Sequence, residues 1–185
     1  YYKGTVSLNY AIRKSMNTVP VRLLQEVGID TSYDFLVNKL NCKHLVPEDK
    51  NLAALALGGT NYGLTTTESA AAYAIFGNKG VYHKPTTYYK IERANGEVIF
   101  DYDETGTQAI SPASATIMNH LLQEVVYGRE GTGGGIAGYN SNMKAYAKTG
   151  TSSESKDLWM VAGTPYYVGS VWYGFDIQSE VSNGG

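Results

Sequence analysis

The chain has 185 residues, enough for one domain or most of one, and its 43% hydrophobic and 17% charged residues are ordinary for a globular protein with a sizeable core. A formal net charge of -2 gives no electrostatic basis for binding nucleic acid, and no stretch has the apolar length needed to span a bilayer. Cys42 stands alone, and His44, His83 and His120 are far apart. The sequence therefore offers no internal disulfide and no metal-ligand spacing, Cys42 is expected as a small core residue, and no cofactor is expected.

In chain order, apolar positions at Val6, Tyr10, Ala11 and Ile12 predict a short helix over 5–14, ending near Ser15-Met16-Asn17. A second helix carries Pro20 in its first turn and stops at Gly28. Ser15 and Asn17 then lie on the connection between two helices. Asp30 or Thr31 is expected to cap a further short helix through Phe35-Leu36-Val37. An alanine-rich run over 52–59 ends in Gly58-Gly59, and Thr65 with Glu68 fits a capping box ahead of a small-residue helix from Ser69 to Phe76. Residues 86–92 and 97–102 read as strands around Asn95-Gly96, a tight-hairpin signal. Ser111-Pro112 opens a helix to Tyr127, 128–138 is glycine-rich and irregular, and 143–149, 158–163 and 167–175 read as neighbouring antiparallel strands. The expected division is a mainly helical part over 1–85, a hairpin over 86–102, and a helix plus sheet over 111–185.

The sharpest local signal is Lys148-Thr149-Gly150-Thr151 at the end of a strand pattern. Lysine there supplies a point charge for a carboxylate, Thr149 and Thr151 supply hydroxyl donors, and Gly150 lets a ligand lie against the strand. The bland reading is a strand-to-loop turn with a solvated lysine. Ser15-Met16-Asn17 on an interhelical loop is the second signal, its bland reading being the end of one helix and the cap of the next. Two other strings are decoys. Gly133-Gly134-Gly135-Ile136-Ala137-Gly138 matches a dinucleotide fingerprint, but no strand leads into it. Ser141-Asn142-Met143-Lys144 matches Ser-x-x-Lys but sits in a turn-like stretch directly before the Lys148 strand.

Ser-x-x-Lys, Ser-x-Asn and Lys-Thr-Gly, in that chain order, are the active-site motifs of penicillin-binding proteins and serine β-lactamases. The last two occur here in order. Around them, Thr18-Val19-Pro20-Val21, Ala56-Leu57-Gly58-Gly59, Tyr62-Gly63-Leu64-Thr65, Glu68, Ala72-Tyr73-Ala74, Gly131-Thr132-Gly133, Asp157, Trp159, Gly163-Thr164-Pro165 and Val171-Trp172-Tyr173-Gly174 all resemble the transpeptidase domain of bifunctional (class A) penicillin-binding proteins. The resemblance covers nearly the whole chain.

That resemblance implies an α+β fold: the penicillin-binding, serine β-lactamase-like transpeptidase fold, a helical subdomain packed on an antiparallel sheet, incomplete on its N-terminal side. It implies a D,D-transpeptidase that cross-links peptidoglycan stem peptides through a serine acyl-enzyme and binds β-lactams. By motif, Ser15 relays a proton, Asn17 holds the donor peptide, Lys148, Thr149 and Thr151 take the terminal carboxylate, and the Thr151 amide is one oxyanion donor. The implied partners are D-Ala-D-Ala stem peptides, β-lactam antibiotics and an upstream part of the same parent chain. The nucleophilic serine and its lysine are expected upstream of Tyr1. The parent is expected at the extracytoplasmic face of the bacterial cytoplasmic membrane, anchored by an N-terminal segment and carrying a glycosyltransferase domain, and these residues alone are expected to be inactive. A hydrolase (D,D-carboxypeptidase or β-lactamase), a non-catalytic sensor, and a piece that works only when reassembled with its upstream part are the alternatives.

Overall fold

A computed structural model describes residues 3–139 and 142–175. Helix α1 (Leu8–Arg13) is opened by Ser7, whose side chain accepts from the Tyr10 amide. Helix α2 (Thr18–Val27) follows after one turn and closes at Gly28, whose amide donates to the Leu24 carbonyl at 2.8 Å. The expected cap at Asp30 or Thr31 is not used. Gly28 itself precedes helix α3 (Ile29–Asp34), because the two helices abut and leave no room for a separate capping residue. The chain then widens into a π turn over Phe35–Lys39, where the Leu40 amide reaches back to the Phe35 carbonyl at 3.1 Å.

Helix α4 (Leu52–Leu57) is capped by the Asn51 side chain. Helix α5 (Thr66–Ala74) has the expected capping box. The Thr65 hydroxyl accepts from the Glu68 amide at 3.1 Å, and the Glu68 carboxylate accepts from the Thr65 amide at 2.8 Å. These elements enclose a core of Leu40, Cys42, Leu45, Ile75 and Tyr82, which confirms Cys42 as a packed core residue. Asp49 is fully buried beside this core, accepting from the Val46 amide and from the Asn61 amide and side chain, and it pins the 46–61 segment.

The hairpin exists but is shorter than expected: β2 (Lys90–Glu92) pairs with β3 (Val98–Asp101). The tight turn signalled by Asn95-Gly96 is present. The Gly96 amide donates to the Arg93 carbonyl, the Arg93 amide donates to the Glu97 carbonyl, and Gly96 sits at φ 85°, the signature of a three-residue loop. Two short strands absent from the expectation, β1 (Val81–Tyr82) and β4 (Thr107–Gln108), pair antiparallel at the base of this hairpin.

Helix α6 (Pro112–Tyr127) starts as expected on Ser111-Pro112 and buries Ala115, Leu122, Val125 and Val126. The final sheet has strand order β5-β6-β7, antiparallel throughout, from β5 (Tyr146–Thr151), β6 (Asp157–Gly163) and β7 (Val168–Gly174). Relative to expectation β5 begins and ends later, so Lys148 lies within the strand rather than at its end. Helix α6 packs against α1 on one flank and β5 on the other, while α5 packs on β6 and β7. The helical part thus meets the sheet directly through α5 and by way of α6 on the α1 side, within the α+β arrangement expected. Among the described residues no helix is long and apolar enough to cross a membrane.

Candidate active site

Ser15 occupies the turn between α1 and α2. The turn is closed by the Ser15 amide donating to the Ile12 carbonyl and the Met16 amide to the Ala11 carbonyl, and it holds Ser15 at φ 51°. Left-handed backbone at a non-glycine residue is uncommon. Here the serine side chain accepts from Lys148 of the sheet. Asn17 is the residue before α2 and is exposed, but its side chain makes no capping hydrogen bond. The helix-capping explanation of this asparagine therefore does not apply.

Facing Ser15, Lys148 stands on β5, one of the two outer strands of the β5-β6-β7 sheet among the described residues. Its ammonium donates to Ser15 Oγ at 2.7 Å and to the Thr149 carbonyl at 2.8 Å. Burial holds its amine below the ordinary lysine value. Gly150 and Thr151 follow on the same strand and are exposed. The arrangement brings together Ser15, Lys148 and Thr149, with Asn17 two residues along the chain from Ser15 and Thr151 three along the strand from Lys148. It can present a cation and hydroxyl donors to an anion lying along a strand edge, and it can pass a proton between an amine and a hydroxyl.

Sequence reasoning named no site residue in the glycine-rich loop, yet the loop reaches the site. Thr149 Oγ1 donates to Thr132 Oγ1 at 2.7 Å. Two residues earlier Glu130 pairs with Lys14, the neighbour of Ser15. A hydroxyl flanked by glycines just before the lysine strand was the available signal. The dinucleotide decoy falls in the same loop as a single short turn of helix (Gly134–Ile136) with α6 ahead of it, which excludes the strand-loop-helix context that fingerprint needs. Ser141 of the other decoy lies outside the described residues.

Residues 1–174 match the family model described as the penicillin binding protein transpeptidase domain. The chain belongs to this family. Among relatives of this chain, penicillin-binding protein 1A of Clostridium acetobutylicum is 37% identical over 99% of the chain and 22% of its own length. Penicillin-binding protein 4 of Bacillus subtilis is 33% identical over 96% of the chain and 28% of its own length. The chain thus spans only 22% to 28% of the length of these two relatives. Among solved structures, penicillin-binding protein 1A of Haemophilus influenzae superposes with a TM-score of 0.80 over 100% of this chain and 32% of its own, at 23% identity, a likeness of fold. The penicillin-binding protein PonA1 of Mycobacterium tuberculosis superposes with a TM-score of 0.75 at 27% identity, over 97% of this chain and 50% of its own.

Proposed function

We propose that this transpeptidase-family chain supplies the leaving-group and carboxylate-binding half of a serine D,D-transpeptidase site that cross-links peptidoglycan stem peptides. The Lys148 to Ser15 hydrogen bond of 2.7 Å carries the reading, because it joins the Ser-x-Asn turn to the Lys-Thr-Gly strand. The nucleophile is a serine of a Ser-x-x-Lys motif, which does not occur upstream of Ser15 in these residues.

In the first step that serine oxygen attacks the carbonyl carbon between two D-alanines. The carbon–nitrogen bond breaks, the terminal D-alanine leaves as an amine, and its proton arrives through Ser15. An amine of a second stem peptide then attacks the ester and restores the serine. Lys148 keeps Ser15 in position and, with the Thr149 and Thr151 hydroxyls, faces the donor's terminal carboxylate. Asn17 holds the donor peptide through its side-chain amide, and the Thr151 amide contributes to the oxyanion hole. β-Lactams occupy the same donor position and acylate the same serine. The structure of PonA1 solved in complex with penicillin V, 26% identical with a TM-score of 0.74, supports this reading. The whole protein is proposed to act at the outer face of the bacterial cytoplasmic membrane.

The test is intact mass after incubation with penicillin, on these 185 residues and on a version extended upstream through the next Ser-x-x-Lys. The expected outcome is a penicilloyl adduct on the extended chain alone. An adduct on the shorter chain would make one of its own serines the nucleophile, Ser141 among them. With neither chain labelled, the acyl-enzyme reading fails and a non-catalytic binding module takes its place.

A further inference from the structure

The glycine-rich loop is hydrogen-bonded against the end of α6. The Gly133 amide donates to the Val125 carbonyl at 2.9 Å, and the Gly131 amide donates to the Gly128 carbonyl at 2.9 Å. A Cβ at position 131 would lie 2.3 Å from the Val125 carbonyl oxygen, so only glycine lets the loop approach this closely. Thr132, pinned between these glycines, meets Thr149 with 2.7 Å between the two hydroxyl oxygens. Together with Lys14–Glu130 and Lys148–Ser15, this contact closes a ring through three segments: the α1–α2 turn, the loop, and β5.

We propose that Thr132 is a positioning residue for carboxylate recognition, acting through Thr149; the proposal rests on the reading above that Lys148 and Thr149 take the ligand's carboxylate. Two hydroxyls at this separation share one hydrogen, and hydroxyl protons rotate. When Thr132 donates to Thr149 Oγ1, the Thr149 proton is released toward a third partner. A carboxylate can only accept, so it selects this orientation. An ester in the same place has lost the charge, and with it most of its demand on that proton. Thr132 therefore sharpens the preference for a free acid over its ester.

The experiment compares acylation by benzylpenicillin and by its methyl ester in the full-length protein that carries this chain, with rates taken per titrated site. Thr132→Val should lower the rate with the free acid about tenfold, the order of one hydrogen bond, and change the rate with the ester less than about twofold. Thr132→Ser, which keeps the hydroxyl, should restore the wild-type acid-to-ester ratio. Gly131→Ala removes no polar group but displaces the loop, and should lower the same ratio. An unchanged ratio in Thr132→Val overturns the proposal. So does an equal loss with acid and ester, which would make Thr132 merely structural, or a failure of Thr132→Ser to rescue. If wild type itself does not distinguish acid from ester, the carboxylate reading falls and this proposal falls with it; if wild type discriminates and Thr132→Val does so equally, this proposal alone fails.

Discussion

Lys148 Nζ and Ser15 Oγ are 2.7 Å apart and separated by 133 positions in the chain. Neither the α1–α2 turn nor β5 contains anything that specifies the other. The separation is set by α6, whose buried Leu122, Val125 and Val126 fill the space between α1 and the sheet. The Arg13 guanidinium, 3.5 Å from the Glu124 carboxylate, adds a tie between α1 and the last turns of α6. The site is thus a consequence of helix packing, and its polar contacts are the last layer placed on it.

Ser15 allows strain and chemistry to be separated. At φ 51° a serine in left-handed backbone costs roughly 1 kcal/mol, which glycine largely avoids. Ser15→Ala and Ser15→Gly both delete the hydroxyl. In a chain competent for acylation, both should lose about 100-fold in β-lactam acylation rate, the scale of a missing proton-transfer group. In urea melts Ser15→Gly should be more stable than Ser15→Ala by about 0.5 kcal/mol, the glycine's extra unfolded-state entropy offsetting part of the gain. If the alanine variant keeps near-wild-type acylation, Ser15 does not carry the proton.

Much of this was legible in the sequence because it is local. The Thr65–Glu68 capping box, the Ser111-Pro112 helix start and the apolar runs of the last three strands depend on residues close to each other in the chain, and all are present. The family motifs were legible for the same reason: Ser15-Met16-Asn17 and Lys148-Thr149-Gly150-Thr151 are short strings. What was not legible depends on contacts between distant segments. The β1–β4 pair has only two residues on each side and no pattern of its own, and it forms because the hairpin between those strands brings their ends together. Asn95-Gly96 signalled a turn correctly, but the loop length was decided by where the strands pair, with a register shift beside Glu92. The glycine-rich loop read as one lip of the substrate site, but Thr132 and Glu130 were not singled out in it, because nothing in a glycine-rich string reveals that Gly131 is pressed on the Val125 carbonyl.

One aromatic ring ties β5 to α5. Tyr146 is 2% exposed and its hydroxyl donates to the Tyr73 carbonyl at 3.2 Å. A Cβ at Gly163, its partner across β5 and β6, would lie 2.3 Å from the ring's Cζ. Gly163→Ala should therefore destabilise the fold by about 2 kcal/mol through overpacking. The double variant Gly163→Ala with Tyr146→Leu should be less destabilised than the sum of the single changes, since removing the ring removes the clash. Additive losses in melting experiments would place the effect of Gly163 elsewhere.

Glu68 should govern part of the acid stability. Its carboxylate is nearly buried, which pushes its pKa up, but hydrogen bonds from the Thr65 and Lys43 amides, from His44 and from the Thr65 hydroxyl outweigh burial and hold it below the ordinary 4.5. A carboxylate with a lowered folded value contributes stability that is full above 4.5 and is lost as pH falls through the lower folded value. Glu68→Gln turns a donor toward amides that are themselves donors, and should cost about 2 kcal/mol at neutral pH. Its stability should also fall less steeply than wild type below pH 4.5. Parallel acid limbs for the two proteins would show that Glu68 is not the titrating group.

Lys148 should give a stability signature of the same sign at alkaline pH. Burial lowers its amine from 10.5, so the unfolded chain binds more protons than the folded one between the lowered value and 10.5. In that window stability rises with pH, because the penalty for burying the charged form disappears as the amine is neutralised. Lys148→Met has no such group, so the stability difference, wild type minus variant, should grow toward pH 10.5 and level off above it. Activity should move the other way. The carboxylate of a β-lactam is attracted by the charged amine, so acylation should decline on the alkaline side with a midpoint below 10.5. Lys148→Met should lower the rate about 100-fold and abolish that decline. A variant that keeps the alkaline limb would assign it to another group and remove Lys148 from carboxylate capture. A variant that loses the limb with little loss of rate would leave Lys148 as a partner of Ser15 alone.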